Sequence, residues 1–190
     1  MRLPLLLDVD GVINVSPRPG RRLPFNVDVH EDVVADDGHA YTLRIRPEVR
    51  DWLAMLAERF EIVWCTTWSA AANRRISPLV GLPGDLDVVP LGSGWPLPPI
   101  SVKALSARRW AANRGATSLA WIDDEASRAA ADALTATWRP YGSQAWQEER
   151  DILNTAPPMP GPFKVIRTDE DRGLTLRHVR DLLAWADEQS

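Results

Sequence analysis

Leu3-Pro4-Leu5-Leu6-Leu7-Asp8-Val9-Asp10-Gly11-Val12 decides the fold. An apolar run short enough to be a strand ends on two carboxylates two residues apart. A strand that is apolar at every position has to be covered on both faces, as in a parallel sheet. Acids at alternate positions point the same way if the strand continues, and Gly11 lets the chain turn sharply behind them. Carboxylates set directly behind a buried strand cost desolvation, which argues for a purpose. Ligands of open α/β sheets bind at such strand ends.

Outward from Leu3 to Val9, strands and helices alternate. Pro47 suits the first turn of a helix, and Val49, Trp52, Leu53 and Leu56 follow at helical spacing. Glu61 to Cys65 reads as a second buried strand. A helix from Ser69 to Leu79, capped by Ser69, comes next, then a third strand from Leu86 to Leu91. Ser101 can cap a helix over Val102 to Arg114 that Gly115 ends. Ser118 to Ile122 is a fourth strand, followed by the alanine-rich helix Glu125 to Thr135. Phe163 to Arg167 and Thr175 to Asp187 form a final strand and helix. This order predicts a three-layer α/β/α sandwich with a Rossmann-like parallel sheet, in one domain spanning residues 1 to 190.

Three segments break the rhythm. Residues 15 to 45 carry Pro17, Pro19, Gly20 and Pro24, then a hairpin predicted around Asp36-Asp37-Gly38. Residues 92 to 100 and 157 to 162 are rich in glycine and proline and read as loops. The first segment is long enough for a small flap but not for a large cap, so the site is expected to be open.

The 190 residues are enough for one compact core, and 45% are hydrophobic and 25% charged, which excludes a disordered chain, a collagen and a coiled coil. The net charge of −4 advertises no general nucleic-acid clamp. No run of about 18 apolar residues exists to span a membrane, and the apolar run at Leu3 is too short for a signal core. The lone Cys65 excludes an internal disulfide and suits a reducing cytosol, so a cytoplasmic location is expected. Only two lysines, Lys103 and Lys164, stand among the 22 basic residues, which makes each position informative.

Asp8-Val9-Asp10-Gly11-Val12 resembles the first motif of the haloacid dehalogenase (HAD) superfamily of phosphohydrolases. That superfamily places a threonine or serine after a second strand, matched by Val63-Trp64-Cys65-Thr66-Thr67. A lysine near a helix start is matched by Lys103, and acids at a strand end by Asp123-Asp124. The chain also resembles, more narrowly, the HAD domain of Swiss Army Knife RNA repair proteins. That likeness rests on Leu7 to Asn14, Trp64 to Trp68 with Ala72-Asn73, Trp121 to Glu125, and Gly173-Leu174-Thr175.

The resemblance implies a Mg²⁺-dependent phosphatase acting through an aspartyl-phosphate, with a phosphorylated substrate that includes RNA or nucleotide ends. Asp8 is then the nucleophile and Asp10 the general acid and base. Thr66, which follows its strand directly, is preferred to Thr67 as the donor to the phosphoryl oxygens. Lys103 supplies fixed positive charge. Asp8, the carbonyl of Asp10 and one acid of the Asp123-Asp124 pair would hold Mg²⁺, which prefers hard oxygen ligands. Asp124 is the preferred ligand, with Asp123 steadying the lysine. A phosphate-binding module without turnover and a phosphomutase-like transfer are the alternatives, and the intact motif set argues against the first.

Cys65 lacks the arginine that a thiol phosphatase needs, so it is read as a packed strand residue. His30, His39 and His178 have no zinc-ligand spacing. Trp52, Trp64, Trp110, Trp121 and Trp185 are read as core. Trp68 and Trp95 are read first as ordinary packing, with stacking on a base or sugar at the site mouth as the alternative. Arg18, Arg21 and Arg22 are read first as a solvated loop, with contact to a substrate phosphate backbone as the alternative. Asn14 and Asn73 are expected to satisfy local backbone.

Overall fold

A computed structural model describes residues 2–20, 22–36, 38–91, 100–135 and 144–189. The main sheet has the order β4-β1-β5-β6, built from β1 (Leu3–Leu7), β4 (Phe60–Trp64), β5 (Leu119–Asp123) and β6 (Phe163–Arg167). All three pairings are parallel, with Leu5 opposite Ile62 and Ala120, and Trp121 opposite Val165. This is the predicted α/β sheet, with β1 in its interior.

The apolar strands are explained by the two layers around them. Leu5, Leu7, Ile62, Trp64 and Ile122 face a core that includes Leu53 and Leu56 of α1 (Val49–Arg59) and Leu182 and Trp185 of α6 (Leu176–Glu188). Leu6, Val63, Leu119 and Trp121 face a second core with Leu105 of α3 (Ile100–Asn113) and Leu134 of α4 (Arg128–Thr135). Successive residues alternate between the cores, so every position of β1 after Leu3 is buried. The five tryptophans assigned to the core, Trp52, Trp64, Trp110, Trp121 and Trp185, are all buried.

Residues 15 to 45 contain an antiparallel hairpin of β2 (Asp28–Val34) and β3 (Ala40–Ile45). It is tied to the loop after β1, where Arg44 N–H donates to Asn14 Oδ1 at 2.9 Å and Val15 N–H to the Arg44 carbonyl at 3.0 Å. At its tip Asp36 pairs with Arg74.

Several boundaries differ from the sequence reading. Leu86 to Leu91 is not a strand but a single parallel bridge between Trp64 and Val88. The Val88 N–H is taken by the carboxylate of Asp87 and Pro90 has none to give, so the ladder stops after two bonds. The helix expected over Ser69 to Leu79 is broken: Ser69 has φ +49 and caps nothing, one π-helical turn spans Ala72–Ile76, and α2 (Ser77–Val80) follows with Pro78 in its first turn. Ser101 lies inside α3 rather than at its cap. Helix α4 begins at Arg128 instead of Glu125, because Glu125 N–H is turned onto the Asp123 carboxylate at 2.9 Å. Helix α5 (Gln144–Leu153) was not foreseen. The loop at 92–99, Arg21, Asp37, Trp95 and Trp138 lie outside the described residues.

Candidate active site at the strand ends

Beyond Leu7 the ladder continues for one more bond, from Asp8 N–H to the Ile122 carbonyl at 3.1 Å. The chain then folds back on itself, and Gly11 takes φ +68. Both carboxylate oxygens of Asp8 are held: Oδ1 accepts from Val9 N–H at 2.8 Å, and Oδ2 from Lys103 Nζ at 2.7 Å. Lys103 leaves the first turn of α3 and stands 2.5 Å from Asp123 Oδ2 as well. One buried ammonium is therefore shared by two buried carboxylates from β1 and β5.

Asp8, Asp123 and Asp124 form a cluster whose carboxylate oxygens can lie within 4.8 Å of one another. Against three carboxylates stands one lysine, so two negative charges are left over. An oxygen-only donor set with that excess fits a divalent hard cation. The Asp124 side chain occupies the space a Cβ at Gly11 would fill, with its Cγ only 2.3 Å from that point. Gly11→Ala is therefore expected to displace the Asp124 carboxylate, on top of the backbone strain. Calorimetric titration should show divalent-cation affinity at least about tenfold weaker, as for lost metal-site partners. Wild-type affinity in Gly11→Ala would remove Asp124 from the site.

The electrostatics follow from burial. Desolvation raises Asp123 above the ordinary carboxylate range, against the pull of Lys103, and Asp8 raises it further. Desolvation, with Asp8 and Glu125 beside it, pushes Asp124 up to about 6. Burial works against the Lys103 charge, but Asp8 and Asp123 outweigh it and hold the ammonium protonated. Burial also pushes the Cys65 thiol up, which suits a packed strand residue rather than a thiolate.

Asp10 points elsewhere. Its Oδ1 accepts from Asn14 Nδ2 at 2.8 Å and its Oδ2 from the Trp68 indole Nε1–H at 2.9 Å. Burial raises its pKa, Asn14 and Trp68 lower it, and Asp8 raises it again. Thr66 is buried two residues after β4 and its hydroxyl accepts from Trp68 N–H at 3.3 Å, whereas Thr67 is exposed. Trp68 is 4% exposed, in keeping with ordinary packing rather than with stacking on a substrate base. Arg18 pairs with Asp171 at 3.2 Å, so its charge is already answered, and Arg22 is exposed. Asn73 does satisfy local backbone at Leu86, and it also accepts from the Trp64 indole.

Sequence reasoning quoted Gly173-Leu174-Thr175 for the likeness but missed what the segment after β6 does. Thr168 Oγ1 donates to the Gly11 carbonyl at 2.7 Å, and Arg167 Nε to the Asp124 carbonyl at 3.0 Å. Leu174 N–H donates to the Val12 carbonyl at 2.8 Å, and Ser16 N–H to the Glu170 carbonyl at 3.0 Å. At Gly173, with φ +61, a Cβ would lie 2.5 Å from the Val12 carbonyl oxygen, so only glycine fits that approach. The segment pins the loops that carry Asp10 and Asp124.

A parallel sheet with Asp8, Lys103 and paired acids converging at its carboxyl end is the architecture of a HAD-type hydrolase. The family model described as "HAD domain in Swiss Army Knife RNA repair proteins" matches residues 4–142, and the chain belongs to that family. Its match ends before Gly173-Leu174-Thr175, so β6 and α6 lie outside it. No curated protein and no solved structure matches the chain. Among the described residues no helix is long and apolar enough to cross a membrane.

Proposed function

We propose that the protein is a Mg²⁺-dependent phosphomonoesterase that works through a phosphorylated Asp8. The observation that carries this reading is the lysine shared between Asp8 and Asp123, with Asp124 completing a three-carboxylate cluster. A carboxylate repels a phosphate dianion unless positive charge is supplied. Lys103 supplies one charge, and a Mg²⁺ held by Asp8, Asp124 and the Asp10 carbonyl would supply the rest by screening the phosphoryl oxygens. Asp123 acts through Lys103, fixing it against Asp8.

In the first step Asp8 attacks phosphorus, and the bond to the leaving oxygen breaks with its electron pair. Asp10 gives that oxygen a proton. In the second step Asp10 takes a proton from water as the water oxygen bonds to phosphorus. The Asp8–phosphorus bond then breaks, releasing phosphate and restoring the carboxylate. Thr66, from the end of β4, orients the phosphoryl group.

The substrate we assign is a phosphate at the end of a nucleic-acid strand. The family's RNA-repair context supports it, as does an insertion whose described structure is a two-stranded hairpin. The test is phosphate release, with and without Mg²⁺, from phosphorylated oligonucleotides, mononucleotides and sugar phosphates. A higher kcat/KM for the oligonucleotide, falling as salt rises, is expected. A preference for a sugar phosphate would overturn the strand-end assignment and leave the mechanism standing.

The raised carboxylates set a pH dependence. An acid whose folded pKa lies above its unfolded value near 4 destabilises the fold as pH rises through that interval. For Asp124 the interval runs from about 4 to about 6. Metal-free protein should therefore lose stability across it, and Mg²⁺ should restore what is lost. The expected result is a Mg²⁺-induced rise in Tm that is several degrees at pH 7.5 and nearly absent at pH 4.5. An equal rise at both would show that the cation binds elsewhere.

A further inference from the structure

Trp68 is buried between two groups that sequence spacing does not connect. Its indole N–H donates to Asp10 Oδ2 at 2.9 Å, and its ring meets that of Tyr41 on β3, with centroids 5.0 Å apart and planes at 53°. We propose that Trp68 is a positioning residue for Asp10, and that the hairpin, through Tyr41, braces it there. This rests on the assignment of Asp10 as general acid.

The geometry is specific to that task. A carboxyl on a short side chain can rotate about two bonds, and a proton donor must meet the leaving oxygen within hydrogen-bond reach. Asn14 fixes one oxygen of Asp10 from the same loop, four residues away. The indole fixes the other from the loop after β4, which also carries Thr66. The acid and the phosphoryl-binding threonine are thereby held in register by one residue. Each Asp10 oxygen keeps a further lone-pair direction for the proton it transfers. Tyr41 is 38% exposed, so this chain of contacts runs from Asp10 to the surface of the hairpin.

The test separates the acid's role from general damage. An oxygen that leaves easily needs no proton, so 2,4-dinitrophenyl phosphate is insensitive to the acid, whereas phenyl phosphate depends on it. The kcat/KM values report the step in which Asp8 is phosphorylated and the leaving oxygen is protonated. In Trp68→Phe, kcat/KM for phenyl phosphate should fall at least tenfold and that for the dinitrophenyl ester less than threefold. Misfolded protein would lower both alike, so the ratio is immune to loss of fold. Tyr41→Ala, at an exposed position, should shift the ratio the same way by a smaller factor, and Asp10→Asn by a larger one. A split in Asp10→Asn that is absent from both Trp68→Phe and Tyr41→Ala overturns this inference alone. No split in Asp10→Asn overturns the acid assignment, and the inference with it.

Discussion

Asp8→Asn is expected to abolish turnover, by about a thousandfold or more, while leaving the fold intact. Loss of a covalent nucleophile costs several decades in rate because the step it opens has no substitute. The substitution conserves volume and removes one negative charge from a site that carries an excess of them. Lys103 keeps its ion pair with Asp123, so no buried charge is orphaned. A melting temperature within a few degrees of wild type should therefore accompany the dead enzyme. Phosphate release from an aryl phosphate with Mg²⁺ measures the first quantity and a thermal melt the second. If Asp8→Asn retains a tenth of the wild-type rate, the nucleophile is another residue.

Lys103→Met is expected to be the most destabilising change in the site. The side chain is 5% exposed and answers Asp8 at 2.7 Å and Asp123 at 2.5 Å. Removing one partner of a buried ion pair leaves an uncompensated charge and typically costs about 3–5 kcal/mol. Here two carboxylates lose their partner at once, with Asp124 beside them. Methionine keeps most of the lysine's volume, so packing is not the cause. Urea unfolding without metal should show a lower midpoint at an unchanged slope, and Mg²⁺ should narrow the deficit, since a divalent cation answers the same charges. An unchanged midpoint in metal-free buffer would mean that the pair is electrostatically idle. Activity should fall with Mg²⁺ present even where stability is restored.

Much of this was legible because the fold is written in burial. Strands that are apolar at every position have one home, a sheet covered on both sides, and the acids behind them mark its functional end. That reasoning places Asp8 and Asp10 at the carboxyl end of the sheet before any coordinate is known; the resemblance to the HAD superfamily added Lys103, Asp123 and Asp124 to them. It fails where structure depends on contacts between distant segments. The indole of Trp68 meets a carboxylate 58 residues earlier, and no spacing announces it. The apolar run at Leu86 to Leu91 had the composition of a strand, but Asp87 spends its carboxylate on Val88 N–H, Trp110 and Arg114. The helix expected at Ser69 yields to the irregular turn that seats Thr66 and Trp68 beside the site. Helix α5 holds only four apolar residues in ten, Ala145, Trp146, Ile152 and Leu153, so its sequence announces little buried surface.

The pinning of the Gly11 loop by Thr168 and Gly173 sets an order in time. A ribosome releases the loop after β1 first and the groups that fix it last, 157 residues later in the case of Thr168. That loop can take its final, braced form only after residues 168 to 174 have been made.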